Sequence, residues 1–229
     1  MDVFSSAKHR LRRRAFLRVA GGTAASAALV LAGCGTKTPE PVAVTNYRFP
    51  ANDTGQLNYF YLLKQLLVGF YQQALAANPS GLQLGELDVL SDLRDHHVVH
   101  LQALNYALNS TPVIAQLTYT FTGLTLNTRA GLLAAAQTLE DLTLAAFNYS
   151  LPLLSSVDSL TLLAKMTSAQ ARHAATVRDL LDPTALAAPD AVLSQPGSQA
   201  AVASPVTVLT ALTPYFAPFT FDGSLLPVA

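Results

Sequence analysis

The chain is organised around Asp92-Leu93-Arg94-Asp95-His96-His97-Val98-Val99-His100. Three of its five histidines fall within these nine residues. In a helix, His97 and His100 lie on one face, about one turn apart. The flanking leucines recur at helical intervals, which predicts a helix with imidazoles on its apolar side: Leu87, Leu90, Leu93, Leu101, Leu104 and Leu108. Buried ring nitrogens need partners, and water, backbone groups, carboxylates or a metal would serve.

The N-terminal residues have the features of an export signal. An apolar run from Val19 to Gly33 follows a basic region. The run has about 15 residues, fewer than the roughly 20 that a membrane-spanning helix needs. Arg13-Arg14-Ala15-Phe16-Leu17-Arg18 resembles the twin-arginine export motif, and Leu31-Ala32-Gly33-Cys34 resembles the bacterial lipobox. We predict a signal peptide over residues 1–33 and lipidation of Cys34. The alternative is a membrane anchor that is never cleaved.

Removal of this signal would change the charge of the chain. The whole chain has 14 Lys and Arg residues and 14 acidic residues. Six of the basic residues and only one acidic residue lie in the predicted signal, so the mature protein would be acidic. The predicted mature sequence has no basic patch of the kind that binds nucleic acid, so nucleic acid is not an expected partner. Cys34 is the only cysteine, which excludes an internal disulfide framework.

After a proline-containing tether at residues 34–52, the periodicity of apolar residues predicts an all-α domain over 53–182. The predicted helices span about 53–78, 86–109, 127–149 and 156–181. Residues 113–129 include β-branched and aromatic residues and could form a short strand, but we interpret them as an extended crossover because no partner strand is evident. Residues 183–229 are predicted to form a loop, a short helix from Pro205 to about Thr213, and an aromatic tail. A long connection between the second and third helices of a four-helix bundle indicates a ferritin-like topology.

Four short blocks of sequence carry a resemblance to a known family. The blocks are residues 57–63 with Phe70-Tyr71, Arg94-Asp95-His96 with His100, residues 136–141, and residues 168–181, and together they cover roughly residues 52–182. In these blocks the chain resembles the bacterial exported ferritin-like family that is related to plant desiccation proteins. The resemblance implies a ferritin-like bundle with a dinuclear metal centre, built from one Glu on each of two helices and a Glu-x-x-His on each of the other two.

The ligand set of that family is incomplete in this chain. The glutamates of the first helix would fall at Lys64 or Leu67, and the two Glu-x-x-His motifs become His97-x-x-His100 and Gln170-x-x-His173. Glu140 is the one carboxylate retained. A single carboxylate cannot offset the charge of two adjacent iron ions, so we expect the dinuclear site to be degenerate and ordinary ferroxidase chemistry to be absent.

Two interpretations of the remaining polar residues stay open. In one, His100, His173 and Glu140 bind a single Fe, Zn or Mn ion, with His97 as a further ligand. In the other, the same residues satisfy each other by hydrogen bonds, with Gln170 as a bridge. His96 is predicted to face away from His100, towards the surface.

These features lead to two function hypotheses. The first is a lipid-anchored cell-envelope protein, facing the periplasm or in the outer membrane, with a non-enzymatic structural, stress-protective or partner-binding role. The second is a mononuclear metalloprotein with oxidase, oxygenase or metal-buffering activity. The membrane, through the lipid on Cys34, is the expected partner. A homodimer through the Ala- and Leu-rich helix faces is a further possibility.

Overall fold

Four long helices form the framework of the molecule. A computed structural model describes residues 46–110, 112, 114, 116–183 and 201–228. The framework helices are α1 (Asp53–Ala76), α2 (Glu86–Ala107), α3 (Arg129–Ser150) and α4 (Val157–Leu181). Helix α1 packs mainly against α2, and α3 mainly against α4, so the bundle consists of two helical hairpins. A shorter helix, α5 (Pro205–Phe216), and two short strands, β1 (Asn46–Arg48) and β2 (Thr220–Asp222), complete the described secondary structure.

Side-chain caps fix where most of the helices begin. Thr128, Ser156 and Ser204 each accept a hydrogen bond from the backbone N–H three residues later, which satisfies a donor that the first turn leaves free. Helix α1 is capped by Asn52, whose side chain accepts a hydrogen bond from the backbone N–H of Gly55. The Asp53 carboxylate instead accepts hydrogen bonds from the N–H groups of Ser155 and Ser156, which ties the start of α1 to the start of α4.

Helix α1 is buried around most of its circumference. Its buried residues include the bulky side chains Tyr59, Phe60, Phe70 and Tyr71. They also include polar side chains that an amphipathic surface helix would expose, among them Lys64 and Gln65. Helix α1 is therefore the central helix of the fold, and its polar residues must find partners inside the protein.

The crossover between α2 and α3 covers the outer side of α1. Gln65 Oε1 accepts from the backbone N–H of Leu117 at 3.0 Å, and Gln73 Nε2 donates to the carbonyl of Tyr119 at 2.8 Å. The Tyr119 ring lies against Gly69, where an added Cβ would come within 3.0 Å of the ring. The crossover contains no strand among its described residues, in agreement with our interpretation of it as extended chain.

The two chain ends of the domain meet beside α1. Strands β1 and β2 pair in parallel, with Asn46 opposite Thr220, and Phe49 is completely buried next to Phe221. The last residues of the segment that we predicted to be a tether are thus packed into the folded domain. The physical reason is that Phe49 joins an aromatic cluster of the core, a long-range contact that proline content does not reveal.

The all-α four-helix bundle with a long crossover and a short fifth helix is confirmed. The predicted signal peptide 1–33, Cys34, the tether as far as residue 45 and the loop at 184–200 lie outside the described residues. Within the described ranges, no helix combines the length and the apolar character that crossing a bilayer requires.

Candidate functional site

All four framework helices contribute polar side chains to one buried cluster, which we call the central network. Each member is almost or fully inaccessible to solvent: Lys64 and Tyr71 of α1, His97 of α2, Glu140 of α3, and Gln170 of α4. Because burial of a polar group is costly without a partner, the hydrogen bonds among these residues determine whether the cluster is stable.

Glu140 is the acceptor at the centre of this network. Its Oε1 accepts from the Tyr71 hydroxyl at 2.7 Å and from His97 Nε2 at 2.8 Å, and its Oε2 accepts from Gln170 Nε2 at 2.5 Å. Burial alone raises the pKa of a carboxyl group. Here the charge and the hydrogen bond of His97, followed by the charges of His173 and Lys64, outweigh burial and lower the pKa of Glu140 to about 2. Glu140 is therefore ionised at neutral pH.

Lys64 supplies the compensating positive charge. Its Nζ donates to Gln170 Oε1 at 2.5 Å and lies 3.4 Å from His97 Nδ1. Burial lowers the pKa of Lys64 to about 8, and the negative charge of Glu140 limits the decrease. The ammonium group is therefore mostly protonated at pH 7, and the network holds one positive and one negative charge.

The hydrogen bonds of the network form a closed ring in which each bond has a defined donor and a defined acceptor. An ammonium group only donates and a carboxylate only accepts. His97 Nε2 must carry the proton that it donates to Glu140, which leaves Nδ1 as the acceptor facing Lys64. Burial lowers the pKa of His97, in keeping with this neutral tautomer. Gln170 likewise accepts from Lys64 and donates to Glu140, so two neutral side chains bridge the two charges.

A second layer of histidines lies between this network and the surface. His96 Nδ1 lies 3.2 Å from His173 Nε2, and their rings stack with centroids 5.3 Å apart. The His100 ring stacks on His173 with centroids 5.8 Å apart. Burial lowers the pKa of His100 and of His173 to about 3, so both imidazoles are neutral at physiological pH.

The structure brings together three of the four predicted metal ligands. His97, Glu140 and His173 each offer a ligand atom, and these atoms all lie within 4.8 Å of one another, so the three residues could hold a single metal ion. His100, which the sequence paired with His173 and Glu140, is not in this set. His97 is fully buried beside Glu140, whereas His100 is partly exposed one turn further along α2. His96 is exposed as predicted, but it does not face away from His100, because the rings of both residues stack on His173.

Tyr71 is the member of the central network that sequence reasoning missed. Its hydroxyl donates to Glu140, and its ring stacks on His97 with centroids 5.6 Å apart. The spacing in the sequence could have indicated this position, because Tyr71 follows Lys64 by seven residues and therefore lies two turns along the same face of α1.

The dinuclear centre that the family resemblance implies does not fit these residues. A pair of divalent ions needs several anionic oxygen ligands, and the central network has one carboxylate. The ammonium group of Lys64 would also repel the ions at close range. We therefore derive no dinuclear chemistry for this site.

The buried ammonium group predicts an unusual dependence of stability on pH. Between the pKa of about 8 in the folded chain and the ordinary value of 10.5, the folded state binds fewer protons than the unfolded state. The contribution of Lys64 to stability should therefore increase with pH across this window, by up to about 1.4 kcal/mol per pH unit. The measurement is urea unfolding of the wild type and Lys64→Met at several pH values.

The exposed Lys165 of α4 provides the control for this experiment. The difference in unfolding free energy between the wild type and Lys64→Met should change with pH, and the difference between the wild type and Lys165→Met should stay constant. A constant difference for both variants would contradict the burial of a charged Lys64.

Comparison with known proteins agrees with the architecture. The profile of a family described as "Ferritin-like domain" matches residues 52–183, more than half of the chain and the whole four-helix framework. A search of curated proteins finds no match. The match and the helical architecture together confirm the predicted all-α ferritin-like fold. The chain belongs to the ferritin-like domain family.

Proposed function

We propose that this chain is an exported, lipid-anchored ferritin-like protein whose bundle has a non-enzymatic role, as a structural, stress-protective or partner-binding module. The observation that carries the proposal is the buried ammonium group of Lys64, which donates to Gln170 and faces His97 inside the bundle. In a ferritin-like protein that uses metal, the interior positive charge comes from metal ions. In this chain a lysine side chain supplies it.

The bonding capacity of the central network supports a structural role. Both oxygens of Glu140 and both nitrogens of His97 have partners within the network. A network in which every polar atom is satisfied rigidifies a core and favours a single packing arrangement. These contacts occupy the carboxylate and the imidazole that a bound substrate or ion would have to use.

Export and anchoring rest on the sequence of the N-terminal region. The twin-arginine motif and the lipobox occur in the order and spacing that an exported lipoprotein requires. A single acyl chain binds membranes only marginally, so stable anchoring would need the several acyl chains that bacterial lipoproteins carry. The acidic charge of the predicted mature chain favours a partner other than nucleic acid. The resemblance to desiccation-related proteins suggests a role in stress protection in the cell envelope.

A mononuclear metal site is the second candidate function, and the proximity of His97, Glu140 and His173 favours it. Two imidazoles and one carboxylate suit Fe, Zn or Mn, and such an ion would supply Lewis-acid or redox chemistry. The protein would first have to rearrange. His97 Nε2 would have to give up its proton, and with it the hydrogen bond that it donates to Glu140. The stability of the central network opposes these changes.

Metal content measured by elemental mass spectrometry separates the two candidates. The samples are the full chain without a polyhistidine tag and its Glu140→Gln variant, purified from cells supplied with Fe, Zn and Mn. If the central network is structural, the wild type should contain no metal that depends on Glu140, and the two samples should agree. About one equivalent of metal in the wild type, lost in Glu140→Gln, would establish the mononuclear site and contradict our proposal.

Metabolic labelling with an alkyne fatty acid tests the proposed anchor. The wild type should be labelled and should begin at acylated Cys34 by mass spectrometry, because the lipobox cysteine becomes the new N-terminus. Cys34→Ser should lose the label, whereas the control Ser26→Ala in the apolar run should keep it. An unlabelled wild type that retains residues 1–33 would instead indicate an uncleaved membrane anchor.

A further inference from the structure

One end of the bundle lies next to the point where the chain enters the folded domain. Strand β1 begins at Asn46 and leads directly into the start of α1. The Asp53 carboxylate joins the start of α1 to Ser155 and Ser156, which precede α4. We call this end of the bundle, where α1 and α4 begin and α2 ends, the tether end.

Large apolar side chains are exposed at the tether end. Tyr106, in the last turn of α2, is 81% exposed, and Val157, the first residue of α4, is 76% exposed. Tyr106 lines the same cavity as the residues on either side of Val157, so the two segments are close together. Leu160 is also exposed, and it lies on the same face of α4 as Val157, three residues away. The helix ends therefore present an apolar surface to the surroundings of the protein.

The C-terminal residues extend this apolar surface. Leu226 is buried against the first turn of α1, where a Cβ added to Gly55 would come within 3.1 Å of its side chain. Leu225 and Val228, on either side of Leu226 in the sequence, are exposed. The tail thus places two further apolar side chains beside the start of α1.

The opposite end of the bundle is about one helix length away. There the start of α2 meets the start of α3, and Arg129 Nη2 lies 2.6 Å from Glu86 Oε1. The exposed Leu84 precedes α2 at this end. Helix α1 connects the two ends, and its 24 residues span about 36 Å at 1.5 Å per residue.

The length of chain before the domain limits which end can face a membrane. Cys34 lies twelve residues before Asn46. Twelve residues reach about 40 Å when fully extended, and a flexible chain of this length spans about 20 Å on average. A relaxed chain would therefore hold the tether end near the lipid on Cys34. The opposite end could face the bilayer only if this chain were almost fully extended.

We propose that the tether end docks on the surface of the phospholipid bilayer, with its exposed apolar side chains in the headgroup region: Tyr106, Val157, Leu160, Leu225 and Val228. This inference rests on the lipid anchor proposed above and adds an orientation to it. An anchored domain meets the bilayer at a high effective concentration, so a contact too weak to recruit a free protein is sufficient. Tyrosine is also a residue that favours the membrane interface.

The charges at the tether end indicate which lipid surface fits. Arg48 forms an ion pair with Asp222 at 2.6 Å, so its charge is compensated. The carboxylates of Asp53 and Asp158 lie at the same end, in the lining of the cavity. Acidic groups are repelled by anionic lipids, so burial of apolar side chains must provide the contact. We therefore expect docking on a zwitterionic surface and weaker docking when anionic lipid is added.

Quenching of tryptophan fluorescence by brominated lipid tests the proposal. The chain contains no tryptophan, so one introduced residue gives the whole signal. The samples are the mature acylated chains with Val157→Trp or Leu84→Trp, reconstituted in phosphatidylcholine vesicles with bromine on the upper acyl chain. Val157→Trp should emit at shorter wavelength than in detergent-free solution of the unacylated chain, and bromine should reduce its intensity. Leu84→Trp, also exposed but at the opposite end, is the matched control and should show neither change.

A second pair of variants tests the docking residues themselves. Tyr106→Ser combined with Leu160→Ser should reduce the quenching of Val157→Trp, because two apolar contacts with the bilayer are lost. Val99→Ser, at an exposed position in the middle of α2, should leave the quenching unchanged.

The possible failures of the two proposals can be told apart. If the chain is acylated but Val157→Trp is quenched no more than Leu84→Trp, the docking is wrong and the anchor stands. Quenching that the Tyr106→Ser and Leu160→Ser pair leaves unchanged would also overturn the docking. A chain that is not acylated in the labelling experiment would overturn both the anchor and the docking.

Discussion

The fold depends on compensation of one buried positive charge. Lys64 projects from the central helix into the interior, where an ammonium group without partners would be strongly unfavourable. The sequence meets this requirement with Glu140 on α3 and with two bridging side chains, His97 and Gln170, on α2 and α4. Because the four residues come from four different helices, the ring of hydrogen bonds forms only when all four helices are in register. The central network thus specifies the arrangement of the bundle as well as stabilising it.

The same compensation is the reason that we propose a structural role for the bundle and not a metal-binding one. A ferritin-like interior that lacks most of its carboxylates could collapse around apolar residues or retain a weakened metal site. Here a lysine occupies a helix position where the family resemblance places a glutamate, and the one remaining carboxylate balances its charge. Negative charge that would attract metal ions is therefore already neutralised. His100 and His173, which the family resemblance places as metal ligands, each have a buried Nδ1 without a hydrogen-bond partner among the described residues.

Much of the fold could be predicted from the sequence, because apolar periodicity and capping residues are local signals. They placed the ends of α2, α3 and α4 within about two residues. The docking of Phe49 and the pairing of β1 with β2 could not be predicted in this way, because they join residues more than 170 positions apart. For the site, the sequence grouped His100, His173 and Glu140, with His97 as a further ligand. It chose His100 as the main ligand and His97 as the further one, whereas the structure places His97 beside Glu140, because that choice depends on the rotation of α2 against its neighbours. The inward direction of Lys64 likewise became clear only from the structure.

A double-mutant cycle on Lys64 and Glu140 tests the central claim most directly. The free energy of unfolding would be measured by urea titration at pH 7 for the wild type, Lys64→Met, Glu140→Gln and the double variant. Each single change leaves one buried charge uncompensated and should cost about 3–5 kcal/mol. The double variant removes both charges, so it should lose less than the sum of the single losses by about 1–3 kcal/mol. Losses that add to within about 0.5 kcal/mol would contradict the account, because they would show that the two charges do not depend on each other.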